Sequence, residues 1–500
     1  MAQGRGGLPA RAPPPPRLMR FAALAAGLAC SLLAQPGLSG AAGAPARRPR
    51  HVIFVVIDDL GYDDLGFQNR GQVHTPNLDR LAREGLLLDN YYVQPSCSPT
   101  RATFLTGRMP YRTGINRWIS DEAYGLPLNE TTLAQVLNSR GFRSHAVGKW
   151  HLGCFKSAYT PTFRGFDSFL GFYWGYSDYF KHSLNEGYLD LHLELGQQCG
   201  RNCSQPVWDA RGQYSTHMYT ARAVEVIAAH DADRPLFLYL AYQGVHAPLQ
   251  VPQSYVRPYE GSIRDPSRRA FAGVVSAVDE GVGNVTAALR ARGMLEDSLL
   301  VVTTDNGGPT TDCGSIGQSN WPLRGSKCSV WEGGTLGTAF VSWAGLAQGL
   351  RGARYGGLMH AADWLPTLAG ALGRPVQPGE TLPLDGLDLS GSLLRLGGGA
   401  DGGAAGPAPP QRREIYYGTT YWGTGPAIRD AEGYKLVLGG GGGGAGAWSP
   451  EQLPNASRAG PRCAGVGAGA DAAAPGEGAG AGAEGLLFFL PEDRGERRPL

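Results

Sequence analysis

Three continuous apolar runs along the chain predict strands that are buried on both faces. They are HVIFVVI at 51–57, PLFLYLAY at 235–242 and SLLVVTTD at 298–305, and all three are rich in β-branched and aromatic residues. Such runs are typical of a mostly parallel sheet that is covered on both sides. Two weaker runs, SHAVG at 144–148 and TAFVSW at 338–343, are candidates for further strands.

Helical periodicity occupies the segments between these runs. In ETTLAQVLNSRG the apolar residues Leu133, Val136 and Leu137 recur at helical spacing, and Gly141 suits the C-terminal cap. The segments TARAVEVIAAH at 220–230 and RRAFAGVVSAVDEGVGNVTAALRARG at 268–293 show similar periodicity. Strands that alternate with helices predict an α/β sandwich.

The composition changes near residue 397, where GGGADGGAAGPAPP is typical of a flexible linker. Three later segments, REIYYGTTYWG, AIRDAEGYKLVLG and GLLFFL, resemble strands of a small antiparallel sheet. We therefore predict a large domain over 45–396, a linker over 397–411 and a small C-terminal subdomain over 412–500. A Gly/Ala-rich insertion at 439–485 within that subdomain has too few apolar side chains to build a core.

The first residues, 1–44, are predicted to be a secretory signal peptide. Several arginines, the last of them Arg20, precede the apolar run FAALAAGLACSLLA, and small residues follow in GLSGAAGA. This run is shorter than the ~20 apolar residues of a transmembrane helix, although a short signal anchor is the alternative. We therefore expect no stable membrane span. The expected location is the secretory pathway, with the lysosome, the endoplasmic reticulum or the extracellular space as the final compartment.

The formal net charge of the chain is +2, and 18% of its residues are charged. No global electrostatic field therefore favours nucleic acid, and we expect no nucleic-acid partner. An anionic substrate must be bound by a local pocket.

Eight cysteines are consistent with an oxidising compartment. Cys30 lies in the predicted signal peptide, and Cys199 with Cys203 is the only pair close enough in sequence to suggest a local disulfide. If Cys97 is reserved for chemistry, six cysteines remain for pairing: Cys154, Cys199, Cys203, Cys313, Cys328 and Cys463. Four glycosylation sequons are also present, at Asn129, Asn202, Asn284 and Asn455.

Polar residues follow the ends of four predicted strands. In α/β sheets, ligands bind at the carboxyl ends of the strands. The convergence of four such ends is the main indication, from the residues alone, that the chain is an enzyme. The residues concerned are Asp58 and Asp59, Lys149 and His151, His246, and Asp305 and Asn306.

Two of these strand ends offer three carboxylates and one amide oxygen, from Asp58, Asp59, Asp305 and Asn306. An all-oxygen donor set suits Ca²⁺ or Mg²⁺ rather than zinc. Neighbouring strand side chains point to opposite faces, so both aspartates of the first pair can meet one ion only if the chain turns there. Leu60-Gly61 permits such a turn. The alternative interpretation is that Asp-Asn-Gly-Gly forms an ordinary turn and that Asp58 caps a helix.

Basic residues near these positions could bind an anion or transfer a proton. Lys149 supplies positive charge, and His151, two residues later, can exchange a proton near neutral pH. His246 follows a predicted buried strand, and Lys327 lies in the Gly-rich aromatic loop WPLRGSKCSVWEGG. Each of the four, taken singly, is more often a solvated or structurally satisfied residue.

Cys97 begins the segment CSPTRATFLTGR at 97–108. A buried or disulfide-bonded cysteine is the usual state in a secreted chain. Arg101 favours an anion nearby, so a thiolate nucleophile with His151 or His246 as its base is an alternative. A site for a hard cation fits a thiol nucleophile poorly, because such cations prefer oxygen. The residues alone leave these interpretations open.

The same segment matches every fixed position of the sulfatase signature C-x-P-x-R-x-x-x-L-T-G-R, and GFRSHAVGKWHLG at 141–153 resembles the second sulfatase signature. The resemblance runs from about residue 50 to about residue 390. DNYYVQP and PLFLYLAYQGVHAPLQVP resemble the arylsulfatase B group. The resemblance implies an alkaline-phosphatase-like α/β fold, in which helices enclose a large mixed, mostly parallel sheet and a small antiparallel-sheet subdomain follows. It also implies the hydrolysis of sulfate monoesters of aryl alcohols or of glycosaminoglycan sugars.

The resemblance further implies a role for each candidate residue. Cys97 would be converted to formylglycine by the formylglycine-generating enzyme, and its hydrate would be stabilised by Arg101 and contacted by His151. Substrate binding would fall to Lys149, His246 and Lys327. Ca²⁺ would be held by Asp58, Asp59, Asp305, Asn306 and the residue derived from Cys97.

The chain also departs from the arylsulfatase B group. The segment after Arg117 lacks a cysteine pair that this group carries there, and the 181–212 segment differs, so Cys313 and Cys328 are an alternative disulfide pair. Because such loops shape the substrate pocket, N-acetylgalactosamine 4-sulfate, the substrate of arylsulfatase B, is one candidate among the sulfated sugars that the resemblance implies. The competing hypotheses are a phosphomonoesterase or phosphodiesterase of the same superfold and a secreted sulfatase homologue without activity.

Overall fold

The computed structural model describes residues 48–69, 71–120, 122–184, 187–196, 204–310, 317–394, 411–418, 425–438 and 485–500. The predicted signal peptide, most of the predicted linker and nearly all of the Gly/Ala-rich insertion lie outside these residues. Among the described residues, we find no helix with the length and apolar character needed to cross a membrane.

Sixteen strands and ten α-helices are present in the described part of the chain. The strands are β1 (His51–Ile57), β2 (Leu86–Tyr92), β3 (Arg143–Lys149), β4 (Ser168–Phe172), β5 (Ser183–Leu184), β6 (Tyr188–Leu189), β7 (His192–Glu194), β8 (Ser204–Pro206), β9 (Leu236–Tyr242), β10 (Ser298–Thr304), β11 (Ala339–Ser342), β12 (Ala353–His360), β13 (Glu414–Tyr416), β14 (Ala427–Asp430), β15 (Tyr434–Leu438) and β16 (Gly485–Phe489). The helices are α1 (Pro76–Glu84), α2 (Cys97–Thr106), α3 (Pro110–Thr113), α4 (Leu133–Asn138), α5 (Ser215–Ala229), α6 (Gln253–Val256), α7 (Pro266–Ala291), α8 (Glu332–Thr335), α9 (Trp364–Ala371) and α10 (Ser390–Leu394).

Ten strands form one mixed sheet in the order β12-β2-β11-β10-β1-β9-β3-β4-β7-β8. The five strands from β10 to β4 are parallel to their neighbours, whereas β11 and β7, which flank them, are antiparallel. The register pairs Ile57 of β1 with Thr304 of β10 and with Tyr242 of β9. The carboxyl ends of these three strands therefore lie at one level.

Helices cover both faces of this sheet because the side chains of its central strands alternate between two apolar cores. In β1, Phe54 packs with α2, α4 and α9 on one face, and Val55 packs with α1, α5 and α7 on the other. Each fully buried Val, Ile, Leu or Phe side chain stabilises the fold by about 1.5–3 kcal/mol relative to exposure. The α/β class, the mostly parallel centre and the helices on both faces are confirmed.

The helix predicted around Leu133 begins with a capping box between Thr132 and Gln135 and ends at Asn138. Gly141, the predicted cap, lies beyond the last helical residue and adopts a φ of 88°. The weaker strand candidates at 144–148 and 338–343 are β3 and β11.

The C-terminal segments form the predicted small antiparallel sheet, in the order β13-β14-β15-β16. One face of this sheet contributes Ile415, Val437 and Phe488 to an apolar cluster with Trp331. Trp331 belongs to the loop that also carries Lys327, so the small sheet packs against a loop of the predicted site.

A buried ionic cluster joins the same loop to the C-terminal segment. The Nζ atom of Lys435 lies 2.9 Å from Oε1 of Glu332 and 2.8 Å from Oε1 of Glu496, and it donates to the carbonyl of Val330. The backbone N–H of Glu332 donates to Oε2 of Glu496 at 2.8 Å, and the hydroxyl of Tyr92 donates to Glu332. Burial raises the pKa of Glu496 to about 7, against the opposing effect of Lys435 and with a further increase from Glu332.

This raised pKa predicts that the pH dependence of stability will change in the variant Glu496→Gln. The folded chain holds a proton on Glu496 that the unfolded chain releases above its ordinary value of 4.5. The contribution of Glu496 is therefore fully present below pH 4.5 and is lost as the pH rises through about 7. Between pH 4.5 and about 7, we expect the free energy of unfolding of the wild type to fall by up to about 2–3 kcal/mol more than that of Glu496→Gln. Thermal unfolding at a series of pH values checks this, because the midpoint of the wild type should fall further than that of the variant.

The matched control is Glu492→Gln, because Glu492 is exposed in the same terminal segment. Its profile is expected to run parallel to that of the wild type. If Glu496→Gln also runs parallel to the wild type, the buried carboxyl does not carry the proton assigned to it.

Candidate active site

The predicted site residues meet at the carboxyl edge of four neighbouring parallel strands, β10, β1, β9 and β3. Each strand end places its polar residues in the same region because the strand register is level there. The residues brought together in this way are Asp58, Asp59, Lys149, His151, His246, Asp305 and Asn306. Cys97 and Arg101 reach the region from α2, and Lys327 reaches it from the loop before α8.

The two adjacent aspartates face one site because the chain turns at the second of them. Asp59 adopts a φ of 62°, so the turn lies at Asp59 itself, before the Leu60-Gly61 pair that the sequence indicated. Oδ2 of Asp58 accepts a hydrogen bond from Lys149 Nζ at 2.7 Å. Oδ1 of Asp59 accepts one from Lys327 Nζ at 2.6 Å. Because the side chain of Asp59 is short and polar, the left-handed backbone conformation costs little at this residue.

Cys97 is the first residue of α2, and Arg101 lies one helical turn further on, so their side chains share a face. The Cys97 thiol is buried, with 2% of the residue exposed. Its sulfur lies within 4.8 Å of ligand atoms of Asp58 and Asp305, and within the same distance of ligand atoms of Asp59 and His246. The thiol therefore stands at the centre of the acidic cluster.

Arg101 links the strand ends to this helix. Its Nε and Nη2 atoms donate to Oδ2 of Asp305 at 3.0 Å and 2.7 Å, and Nη1 donates to the carbonyl of Lys149 at 3.2 Å. Although burial opposes the charge, Asp305 and Asp58 raise the pKa of Arg101, so the guanidinium stays charged. Its charge is thus fixed within hydrogen-bond distance of the carboxylates.

Two buried oxygens in this cluster have no hydrogen-bond partner, namely Oδ1 of Asp58 and Oδ1 of Asn306. The former lies 3.3 Å from Nη2 of Arg101, without hydrogen-bond geometry. Buried polar atoms are seldom left unpaired, because desolvation without a partner costs about 1–3 kcal/mol. Together with the three carboxylates, these oxygens form a donor set that fits a hard divalent cation.

The carboxylates of this cluster differ in their affinity for protons. Burial raises the pKa of Asp58 to about 8, with a further contribution from the neighbouring Asp305. For Asp59, burial acts in the same direction, but the charge of Lys327 outweighs it and the pKa is lowered. For Asp305, Arg101 outweighs burial and lowers the pKa.

His151 has one buried ring nitrogen without a hydrogen-bond partner. Its Nε2 lies 2.9 Å from the carbonyl of Ile119, which can only accept, so Nε2 carries the proton. Nδ1 is buried, has no hydrogen-bond partner and is therefore a free acceptor. Burial and the positive charge of Lys149 lower the pKa of His151 well below its ordinary value. The imidazole is thus neutral and can accept a proton at Nδ1.

His246 and Lys327 lie on the other side of the cluster. Nε2 of His246 is 3.5 Å from Oδ2 of Asp59, and its Nδ1 is 2.8 Å from the carbonyl of Ala247. Burial lowers the pKa of His246 to about 3, against the opposing effect of Asp59. The loop of Lys327 is fixed beside Cys97, because the N–H of Cys328 donates to the carbonyl of Pro95 at 2.7 Å.

The described cysteines differ in their bonding state. Cys97 and Cys154 are free, and Cys328 is disulfide-bonded. The suggested pair of Cys199 and Cys203 and the alternative pairing through Cys313 lie outside the described residues, as does Cys463. Of the sequon residues, Asn129 and Asn284 are exposed, whereas Asn202 and Asn455 lie outside the described part of the chain.

A loop that the sequence did not single out lies against both histidines of the site. Residues 173–179, YWGYSDY, follow β4, and the N–H of His151 donates to the carbonyl of Tyr173 at 3.0 Å. A Cβ atom on Gly175 would lie 2.9 Å from Cε1 and Nε2 of His151, so glycine is required for this contact. The ring of Tyr176 stacks on His246. The density of aromatic residues and glycine in YWGYSDY was the one available sign in the sequence.

The model of the family described as Sulfatase matches residues 50–374 of the chain. Arylsulfatase J of Mus musculus is 40% identical over 365 residues, which are 72% of this chain and 58% of that protein, so the chain spans less than two thirds of this relative. Arylsulfatase A of Homo sapiens is 36% identical over 383 residues, which are 72% of this chain and 71% of that protein. N-acetylgalactosamine-6-sulfatase of Mus musculus is 31% identical over 373 residues, with 71% and 68% covered.

Solved structures agree in fold over most of the chain. The crystal structure of Ps i-CgsB superposes with a TM-score of 0.69 at 25% identity and covers 91% of this chain and 89% of its own. The PsFucS1 sulfatase from Pseudoalteromonas sp. also gives a TM-score of 0.69, at 23% identity, with 91% and 86% covered. At this level of identity the second similarity shows the fold alone, and the predicted alkaline-phosphatase-like class is confirmed.

Proposed function

The chain belongs to the sulfatase family, and from that premise we propose that it hydrolyses sulfate monoesters with residue 97 as the nucleophile. The observation that carries this proposal is the position of the Cys97 sulfur, within 4.8 Å of ligand atoms of Asp58 and Asp305. A thiol held in a buried carboxylate cluster is a poor thiolate, because burial raises its pKa. The same position suits an oxygen nucleophile beside a hard cation.

Two groups complete the site in this proposal. Oxidation of Cys97 to formylglycine by the formylglycine-generating enzyme, followed by hydration of the aldehyde, would supply an oxygen nucleophile that carries a second hydroxyl. Asp58, Asp59, Asp305 and Asn306, together with residue 97, would hold a calcium ion, which would supply positive charge toward the sulfate oxygens. The unpartnered oxygens of Asp58 and Asn306 support a cation at this position.

The basic residues of the chain bind the sulfate and transfer protons. Lys149 and Lys327 are buried ammonium groups on either side of the cluster, and they can attract the sulfate oxygens. His151 takes a proton at its free Nδ1, the atom that faces no other partner. The side chain of His246 is 17% exposed, more than those of Lys149 and Lys327, and in this proposal the leaving group departs past it. Preorganised charge of this kind often contributes more to the rate enhancement of an enzyme than any other single effect.

We further propose that the substrates are sulfated sugars of glycosaminoglycans, of the N-acetylgalactosamine sulfate type, with aryl sulfates as artificial substrates. The relative named N-acetylgalactosamine-6-sulfatase supports a carbohydrate sulfate. Passage through the secretory pathway to the lysosome or the extracellular space, with glycosylation at the exposed Asn129 and Asn284, is part of the same proposal. So are a catalytic domain over 45–396 and a separate C-terminal subdomain over 412–500.

The proposed function is tested by comparing two esters with the same leaving group. With purified chain from cells that contain the formylglycine-generating enzyme, we expect kcat/KM for 4-nitrophenyl sulfate to exceed that for 4-nitrophenyl phosphate by about two orders of magnitude or more. A preference for the phosphate would instead support the phosphomonoesterase hypothesis. Hydrolysis of neither ester by correctly modified chain would support a homologue without activity.

A further inference from the structure

Two consecutive residues of the 173–179 loop contact the two histidines of the site. Gly175 lies against the imidazole of His151, at the distance that leaves no room for a Cβ atom. Tyr176, the next residue, places its ring parallel to that of His246, with 6.5 Å between the ring centroids and an interplanar angle of 7°. One short segment therefore forms part of the wall on both sides of the sulfate position.

This segment is held on each side of Tyr176. The backbone N–H groups of Tyr173 and Trp174 donate to the two carboxylate oxygens of Asp190, each at 3.0 Å. On the other side, the N–H of Tyr179 donates to Gln250 at 2.8 Å, and its hydroxyl donates to the carbonyl of His246 at 2.8 Å. The tyrosine ring thus stands on a fixed backbone.

Exposure distinguishes Tyr176 from the rest of the site. Lys149, His151 and Lys327 are each 4% exposed or less, whereas Tyr176 is 37% exposed. It has no hydrogen bond among the described residues, and it makes its ring contact with a histidine that lies inside the site. A large aromatic ring that is exposed in this way marks the point where the buried site opens to solvent.

We propose that Tyr176 binds the ring of the leaving group, a six-membered pyranose or aryl ring that carries the sulfate ester. This role rests on the proposed function, in which the bridging oxygen of the ester lies beside His246. A ring attached to that oxygen leaves the buried site past the side chain that stacks on His246. Tyrosine offers such a ring an apolar face, and aromatic contacts of this kind strengthen binding by about 3- to 10-fold.

The proposal assigns Tyr176 to the recognition of the ring rather than of the sulfate. In the proposed function, the sulfate oxygens are bound by the ammonium groups of Lys149 and Lys327 and by the cation that the acidic cluster would hold. Loss of the tyrosine ring is therefore expected to weaken the binding of the intact ester and to leave the binding of inorganic sulfate unchanged. An aryl ring and the C–H face of a pyranose chair both offer an apolar surface to a tyrosine ring, and separate substrates distinguish them.

The test compares Tyr176→Ala, Tyr176→Phe and the wild type. For 4-nitrophenyl sulfate and for the methyl glycoside of N-acetylgalactosamine 4-sulfate, we expect Tyr176→Ala to raise KM by about 3- to 10-fold and to change kcat by less than about 2-fold. Tyr176→Phe, which keeps the ring, is expected to stay within about 2-fold of the wild type for both constants. A rise in KM for only one of the two esters supports the proposal and identifies that ring class as the ligand.

Inhibition by inorganic sulfate separates ring binding from a general disturbance of the site. The inhibition constant of sulfate is expected to be the same for Tyr176→Ala and the wild type. The proposal is overturned if this constant rises in proportion to KM, or if kcat falls while KM is unchanged, since Tyr176 would then only position His246. It is also overturned if neither KM responds.

Tyr188→Ala provides the matched control, because Tyr188 on β6 is 79% exposed and lies outside the site. Its kinetic constants are expected to equal those of the wild type. A wild-type chain that hydrolyses no sulfate ester would contradict the proposed function itself. Unaltered kinetics of Tyr176→Ala in an active enzyme would contradict only the present proposal.

Discussion

Replacing Cys97 by alanine is expected to lower kcat for arylsulfate hydrolysis by at least about 10³-fold. The substitution removes the side chain from which the nucleophile is made, and no described neighbour can replace it in the same position. The surrounding fold is expected to persist, because a single sulfur atom leaves a small cavity that costs about 1–2 kcal/mol. Steady-state kinetics with 4-nitrophenyl sulfate, together with an unchanged circular dichroism spectrum, provide the measurement.

The chain contains its own control for this substitution. Cys154 is the second free cysteine of the described residues, three positions after His151, and it packs against the apolar core. Burial raises the pKa of its thiol to about 12, so it is a poor nucleophile. Cys154→Ala is therefore expected to retain activity within about 2-fold. Equal loss of activity in both variants would indicate that disturbed packing explains the effect of Cys97→Ala.

Peptide mass spectrometry of the 97–108 segment gives an independent measurement. Conversion of the cysteine side chain to an aldehyde removes the sulfur and two hydrogens and adds an oxygen. We expect this change in active wild-type chain, and we expect residue 154 to remain an alkylatable thiol. Active material in which residue 97 is only a thiol would contradict the proposed nucleophile.

The large sheet could be predicted from the sequence where burial on both faces dictates a continuous apolar run. This holds for β1, β9 and β10 at the centre. It fails for β2, whose sequence LLLDNYY includes polar residues that are only partly buried, and for β12, whose first five residues are half-buried or exposed. Edge and near-edge strands carry mixed patterns because one of their faces meets solvent or a loop. Their assignment depends on tertiary pairing that a local pattern does not show.

The candidate site likewise contains some residues that could be predicted from the sequence and others that could not. Residues that directly follow buried strands, such as Asp58 and Asp305, could be placed together because parallel strands end at one edge. The role of Cys97 was predicted from the resemblance of the segment 97–108 to a family signature, because the residue by itself was compatible with several roles. The contact of Tyr176 with His246 could not be predicted from the sequence, because it requires β4 to pair with β3 and β3 in turn to pair with β9. That arrangement is a property of the whole fold.

Calcium is expected to stabilise the wild-type chain against heat, and the variant Asp305→Asn is expected to lose most of this effect. The buried carboxylates of Asp58, Asp59 and Asp305 lie close together. The buried Oδ1 atoms of Asp58 and Asn306 accept no hydrogen bond and are therefore available to a cation. A cation that binds only the folded chain stabilises it by about 3 kcal/mol when present at a hundred times its Kd. For a chain of this size, we expect calcium added after removal of bound metal with a chelator to raise the thermal midpoint by several degrees.

Asp305→Asn keeps the shape of the side chain but removes one of the charges that would hold the ion. It also weakens the two hydrogen bonds that Arg101 donates to Oδ2 of Asp305. We expect kcat/KM to fall by at least about 10²-fold and the calcium-dependent rise of the midpoint to become small, and the second result does not depend on activity. The matched control, Asp209→Asn, changes an exposed aspartate outside the site and is expected to preserve both properties. An equal calcium-dependent rise in Asp305→Asn and the wild type would show that calcium binds elsewhere, and a larger rise with magnesium would identify magnesium as the preferred ion.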